Sequence, residues 1–154
     1  AAYLYCRKRP LPFLRWVDCF IPCVALAQGF GRIGCFLAGC CFGKPTESFL
    51  GVTFPAGSMA PAGIPLWPVQ LFSAAGDFLL AGALLLLEKK RRGDGLLAGA
   101  YLLLYSIGRF LIEFLRADPR GAVGTLSTSQ FIALFTAAAG AAILILRKRG
   151  TPHG

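Results

Sequence analysis

Ionisable residues are scarce in this chain, and acidic ones scarcest. Only 15% of the 154 residues are charged, seven Asp or Glu against 16 Lys or Arg. A soluble domain of this size needs more polar surface than that. Histidine is nearly absent: the one copy, His153, lies beside the end of the chain. An active site built on histidine is therefore not expected within these residues. No Cys-x-x-Cys pair occurs among the six cysteines, which removes the commonest redox and zinc spacings. Most of the cysteines lie in or beside apolar segments, where a thiol behaves as a small hydrophobe. An initiating methionine is also missing. The chain opens on Ala1-Ala-Tyr-Leu-Tyr-Cys6, followed at once by Arg7-Lys-Arg9-Pro10. That order reads as the last turns of a membrane helix, so a C-terminal piece of a longer protein is expected. A signal peptide would place its charges before the apolar run.

What the chain has in quantity is apolar residues, 56% of the total, with a mean hydropathy of +0.64. They come in long blocks rather than amphipathic stripes, which indicates an all-α integral membrane protein. The net charge of +9 raises the question of nucleic acid, but Lys and Arg cluster at the ends of the apolar blocks. That is the positive-inside pattern of membrane helices, and no nucleic-acid partner is expected.

We expect one membrane domain over 1–154, with membrane-crossing segments near 17–42, 69–87, 96–115 and 129–146 plus the end of a fifth. The first segment is longer than a crossing requires and holds Pro22, Gly29, Gly31, Arg32, Gly34 and Gly39. This predicts a helix that breaks or re-enters, which is tolerated where it lines a cavity. A Pro- and Gly-rich loop follows over 43–67, with a short strand or hairpin expected near Gly51-Val-Thr-Phe54. Trp67-Pro68 suits an interfacial anchor and a first helical turn. Asp77 sits mid-span, where it either bonds a neighbouring helix or is protonated. Ser127, Thr128 or Ser129 can cap the last helix. In that helix, Ala137 to Gly140 suit close helix packing. The basic clusters at 7–15, 89–92 and 147–149 should be cytoplasmic. The loops at 43–67 and 116–127 then fall outside.

The chemically loaded stretch is Tyr105-Ser-Ile-Gly-Arg109-Phe-Leu-Ile-Glu113-Phe-Leu-Arg116. Its charges fall at i, i+4 and i+7, so Arg109, Glu113 and Arg116 share a helix face, one turn after Tyr105. Arg109 lies roughly 20 Å into its helix at 1.5 Å per residue, and Arg32 reaches about the same depth in the first segment. A charge at membrane depth is costly and usually faces a protein interior or polar cavity. A buried Arg–Glu pair joining helices is one reading. The depth match favours a second, in which two guanidinium groups receive an anion, a phosphate above all.

These residues also carry a family resemblance. Gly31-Arg32-Ile-Gly34-Cys-Phe36 with Gly43, Pro68-x-Gln70-Leu71, Tyr105-x-x-Gly108-Arg109-Phe-x-Ile-Glu113-Phe-x-Arg116 and Leu126-Ser127-x-x-Gln130 resemble, in order and spacing, the prolipoprotein diacylglyceryl transferases. The likeness covers about 100 residues, and its ordered set is more specific than any one motif. The chain would be a divergent, N-terminally incomplete member. Where the family has Asn after Arg-x-Gly, Cys35 stands here. The family's His-Pro-x-Gln-x-Tyr-Glu reads Trp67-Pro68-Val-Gln70-Leu-Phe72-Ser73.

The resemblance implies transfer of a diacylglyceryl group from phosphatidylglycerol to the lipobox cysteine thiol of a prolipoprotein. The reaction would take place at the outer face of the bacterial inner membrane, without metal or organic cofactor. The implied partners are phosphatidylglycerol, the prolipoprotein signal peptide and membrane lipid. Arg32, Arg109 and Tyr105 would be catalytic. Gly31, Gly34, Cys35, Gly43, Gln70, Gly108, Glu113 and Arg116 would shape the substrate site. Three alternatives stay open: a relative with another acceptor, a non-catalytic lipid-binding protein, and a thiol-based redox or metal-binding protein built on Cys35, Cys40 and Cys41. For the last, the step from Cys35 to Cys40 matches no common zinc or redox spacing.

Overall fold

The computed structural model describes residues 13–89, 94–117, 122–123 and 126–149. The expected tail of a fifth helix before residue 7, most of the basic cluster at 89–92, His153 and part of the 116–127 loop lie outside them. Four helices carry the architecture: α1 (Phe13–Leu37), α2 (Val69–Lys89), α3 (Leu96–Glu113) and α4 (Thr128–Arg149). Each is long and apolar enough to cross a membrane, α4 through Thr128–Leu146.

The expected break inside the first segment is not there: α1 is continuous past Pro22 and all its glycines to Leu37. The reason at Gly29 is helix contact, since a Cβ there would meet the Phe78 ring of α2 at 2.7 Å. The glycine admits the ring and does not bend the helix. The chain leaves the helix at Gly39, whose φ is +66°. Cys40 N–H donates to the Cys35 carbonyl at 3.0 Å and Gly39 N–H to the Phe36 carbonyl at 3.0 Å. This is a Schellman ending, which satisfies the last carbonyls and suits glycine in the left-handed position.

Three helices share one apolar core. Ala25 of α1, Leu80, Ala81 and Leu84 of α2, and Leu97, Ala100 and Tyr101 of α3 are buried together. Helix α4 joins through α3. A Cβ on Gly140 would lie 2.8 Å from the Leu103 nitrogen and 2.9 Å from the Gly99 carbonyl oxygen. Backbone meets backbone there, the close approach that small residues allow between membrane helices.

The helix starts are held by side chains. Asp18 of α1 is fully buried. Its carboxylate accepts from Gly95 N–H at 2.8 Å and Ala98 N–H at 2.9 Å, supplying the start of α3 with a cap that Gly95 itself lacks. An acid at a helix N-terminus also complements the helix dipole. At α4, Ser127 Oγ accepts from Gln130 N–H at 3.2 Å while Gln130 Oε1 accepts from Ser127 N–H at 3.1 Å. Ser127-x-x-Gln130 is therefore a capping box.

Between α1 and α2, β1 (Val52–Thr53) pairs antiparallel with β2 (Pro65–Leu66), where the hairpin is expected. Phe54, Ala60 and Leu66 form a small second core with Phe36 and Phe42. Before α4, β3 (Ala122–Val123) pairs with β4 (Leu126–Ser127).

Gly140→Ala should lower the unfolding midpoint of the detergent-solubilised protein. Overpacking costs about 1–3 kcal/mol, which exceeds the gain of roughly 1 kcal/mol from replacing a helical glycine. Gly82→Ala, with open space around the new methyl, should leave the midpoint unchanged or raise it.

Candidate functional site

A cavity of about 270 Å³ opens between α1, α2 and α3. Arg32 enters it from α1, Asp77 from the middle of α2, and Tyr105, Gly108 and Arg109 from α3, over a floor that includes Leu80 and Leu104. The periodicity of α3 explains the third group. Tyr105, Gly108, Arg109 and Ile112 follow at i, i+3, i+4 and i+7, so a single face of the helix supplies them all. Gly108 leaves open space where a side chain would stand.

Arg109 is held on two sides. Its Nη2 lies 3.3 Å from Glu113 Oε2, with both side chains mostly buried, and it donates to Ser129 Oγ of α4 at 3.1 Å. The Glu113 contact is an ion pair and not an aligned hydrogen bond, since Oε2 accepts none. Nη1 of Arg109 is buried without a hydrogen-bond partner, and so is Oδ2 of Asp77. The charges acting on Asp77 are Arg32 and Arg109. Arg32 makes no hydrogen bond or ion pair with any described residue. The cavity thus holds donors and an acceptor that the protein leaves unanswered. Buried polar groups are normally bonded, so such orphans mark a place for a polar ligand or water.

Tyr105 stacks on Tyr101 with ring centroids 5.4 Å apart. Tyr101 in turn donates to Gln28 Oε1 of α1 at 2.6 Å, which fixes the ring beneath Tyr105.

Three of the remaining sequence candidates, Gln70, Gly43 and Arg116, fasten segments together at one end of the bundle. Gln70, almost fully buried, donates through Nε2 to the Cys40 carbonyl at 2.8 Å, latching the end of α1 to the start of α2. Gly43 N–H donates to the Trp67 carbonyl at 3.1 Å, and Lys44 N–H to the Leu115 carbonyl at 2.8 Å. Gly43 also bridges to Arg116. A Cβ on Gly43 would stand 2.5 Å from the Trp67 oxygen, so only glycine fits there. The 43–67 loop and the end of α3 therefore meet at one end of the bundle. Gly31 and Gly34 are exposed, and no protein atom lies within 4 Å of where their Cβ would be.

Cys35, Cys40 and Cys41 come together, with all three Sγ atoms within 4.8 Å of one another. Their spacing hides this because the Schellman turn folds residue 40 back over residue 35. Burial and the neighbouring Cys35 and Cys41 push the Cys40 thiol up to about 11, so it stays protonated at neutral pH.

Asp77 is the cavity-lining residue to which the sequence alone gives too little weight. A single acid in an apolar run looks the same whether it ties helices or lines a cavity. Its place seven residues after Gln70, on the same face of α2, is the signal that identifies it.

Comparisons with known proteins bear on this site. The profile of a family described as prolipoprotein diacylglyceryl transferase matches residues 1–146. A Clostridium tetani protein named phosphatidylglycerol–prolipoprotein diacylglyceryl transferase is 52% identical over 136 residues, covering 88% of this chain and 55% of the relative. A Clostridium perfringens protein, transferase 2 of the same name, is 55% identical over 122 residues, covering 79% and 48%. A Finegoldia magna protein of that name is 33% identical over 148 residues, covering 96% and 56%. The chain spans about half the length of these relatives.

A double-mutant cycle on Arg109 and Glu113 should show coupling. Each single Ala variant should lower the unfolding midpoint, and the double variant should fall short of their sum by about 0.5–3 kcal/mol, because each single change strands a buried charge.

Proposed function

The chain belongs to the prolipoprotein diacylglyceryl transferase family, and from that premise we propose that its cavity takes the headgroup of phosphatidylglycerol for transfer of the diacylglyceryl group to a prolipoprotein cysteine. The observation that carries this reading is the set of unanswered polar groups. Arg109 Nη1 and Asp77 Oδ2 are buried and unbonded, and Arg32 faces the same space. Guanidinium donors suit phosphate oxygens. A carboxylate acceptor suits a hydroxyl. Phosphatidylglycerol presents both, a phosphodiester and a glycerol bearing two free hydroxyls. Asp77 Oδ2 therefore gives the cavity an acceptor for a headgroup hydroxyl.

In the reaction, the thiolate of the acceptor cysteine attacks the glyceryl carbon of the lipid. A C–S bond forms, the C–O bond to phosphate breaks, and glycerol phosphate leaves with the electron pair. The thiol proton goes to a base or to solvent. The phosphate group passes from one negative charge to two along this path. Arg32 and Arg109 then interact more strongly with the transition state than with the bound lipid, which is the condition for catalysis. Glu113 and Ser129 position Arg109 and hold its Nη2, leaving Nη1 for the phosphate. Tyr105 donates to the same oxygens or to the leaving group. Gly31, Gly34 and Gly108, with open space beside them, leave room for acyl chains against the helices. Gly43, Gln70 and Arg116 hold the loop that closes the upper end. Cys35 lies one turn past Arg32 on this rim.

The four helices capable of crossing a membrane agree with a multi-pass protein of the bacterial inner membrane. The basic clusters and the C-terminus would face the cytoplasm. The 43–67 and 116–127 loops, and the cavity near them, would face outward, where prolipoproteins emerge.

The test uses the full-length protein in phosphatidylglycerol vesicles with a lipobox peptide, read by mass spectrometry as a diacylglyceryl adduct on cysteine. Arg32→Gln and Arg109→Gln should each cut the rate about 10²–10³-fold, the usual cost of one lost oxyanion donor, with membrane insertion intact. Asp77→Asn should raise the KM for phosphatidylglycerol several-fold, with membrane insertion intact. Near-normal transfer by both arginine variants would overturn the proposal.

A further inference from the structure

The thiol cluster at the end of α1 is absorbed by none of the roles above. Its geometry is built by the backbone. The Schellman turn brings residue 40 over Cys35 through the Cys40 N–H bond to the Cys35 carbonyl. Cys41 then adopts a left-handed conformation, φ 58°, which a non-glycine residue seldom takes. Successive side chains of extended backbone point to opposite faces, and the kink at Cys41 breaks that alternation, so both thiols reach the same place. Backbone strain of this kind persists only where the surroundings enforce it. Here Gln70 grips the Cys40 carbonyl, and Gly43 and Lys44 are tied to Trp67 and Leu115. The arrangement thus stands without any disulfide among these three cysteines.

We propose that Cys35, Cys40 and Cys41 form a binding site for one thiophilic cation of the Zn²⁺ type, held by three thiolates with a fourth position open. Three sulfurs at about 2.3 Å from a tetrahedral zinc lie about 3.8 Å from one another. The observed spacing, within 4.8 Å, closes to that by small rotations of partly exposed side chains. The donor set is wholly soft, which selects zinc or copper(I) over magnesium or calcium. Three protein ligands and one open position is the pattern of zinc sites that exchange a ligand, whereas structural sites are closed by four.

Binding releases one proton from each thiol to solvent and leaves the site with a single negative charge. Arg32, one helical turn before Cys35 on the same face, offsets that charge. The ion would sit at the rim of the cavity Arg32 lines. The inference rests on the cluster alone and holds whatever the cavity binds.

The test uses the full-length protein, purified in detergent under reducing conditions and stripped of metal by chelator. Co²⁺ serves as the spectroscopic probe and Zn²⁺ as its competitor. One equivalent of Co²⁺ should give a thiolate-to-metal charge-transfer band that Zn²⁺ abolishes. Cys35→Ser, Cys40→Ser and Cys41→Ser should each weaken binding at least tenfold. The Cys19→Ser/Cys23→Ser double variant should bind as the parent does. A second measurement needs no variant: one equivalent of Zn²⁺ should protect Cys35, Cys40 and Cys41 from alkylation, read peptide by peptide, while Cys19 and Cys23 stay reactive. Absence of the band, binding unchanged in Cys40→Ser, or equal alkylation with and without Zn²⁺ would each overturn the proposal.

Discussion

A guanidinium inside an apolar helix bundle has to be answered by something. Desolvating a charge costs several kcal/mol, and the cost is recovered only through partners placed with good geometry. Arg109 is answered in part, by Glu113 and Ser129 on one nitrogen, while its other terminal nitrogen is buried and unbonded. Asp77 carries the matching deficit on an oxygen. These two open valences, with Arg32 beside them, make the cavity a polar site inside a hydrophobic bundle. The rest of the fold can be read as what keeps it open and correctly shaped.

Two devices do that keeping. One works through close approach. Gly29 admits the Phe78 ring, and Gly99 and Gly140 let α3 and α4 touch backbone to backbone, so Ser129 comes within reach of Arg109. The other works through backbone polar groups at helix ends. Asp18 caps α3 from a different helix, fixing that helix along the axis on which Tyr105, Arg109 and Glu113 lie. Gln70 and Gly43 fasten the loop after α1 to the start of α2, and with it the last turn of the helix that bears Arg32.

Much of this was legible in the sequence. The four helices follow from apolar runs bounded by basic residues, a signal set by bilayer thickness and not by tertiary detail. The grouping of Arg32, Tyr105, Gly108 and Arg109 follows from helical periodicity and matched depth. What stayed hidden depends on contacts between distant segments. Glycines in α1 look like helix breakers until Phe78 is seen against one of them. Asp18 looks like any polar residue near a helix start, because the amide groups it serves are about 80 positions away. Gln70 reads as a ligand-binding residue, and nothing local shows that its amide nitrogen also serves a loop carbonyl while Oε1 stays buried without a partner. The three thiols sit at a spacing that suits no local motif, and only the left-handed turns at Gly39 and Cys41 bring them together.

The most direct measurement is a structure of the full-length protein in a phosphatidylglycerol nanodisc. The account predicts a phosphate bonded to Arg32 and to Arg109 Nη1, with a glycerol hydroxyl on Asp77 Oδ2. A cavity closed by a direct Arg32–Asp77 ion pair, with every lipid headgroup outside it, would contradict it.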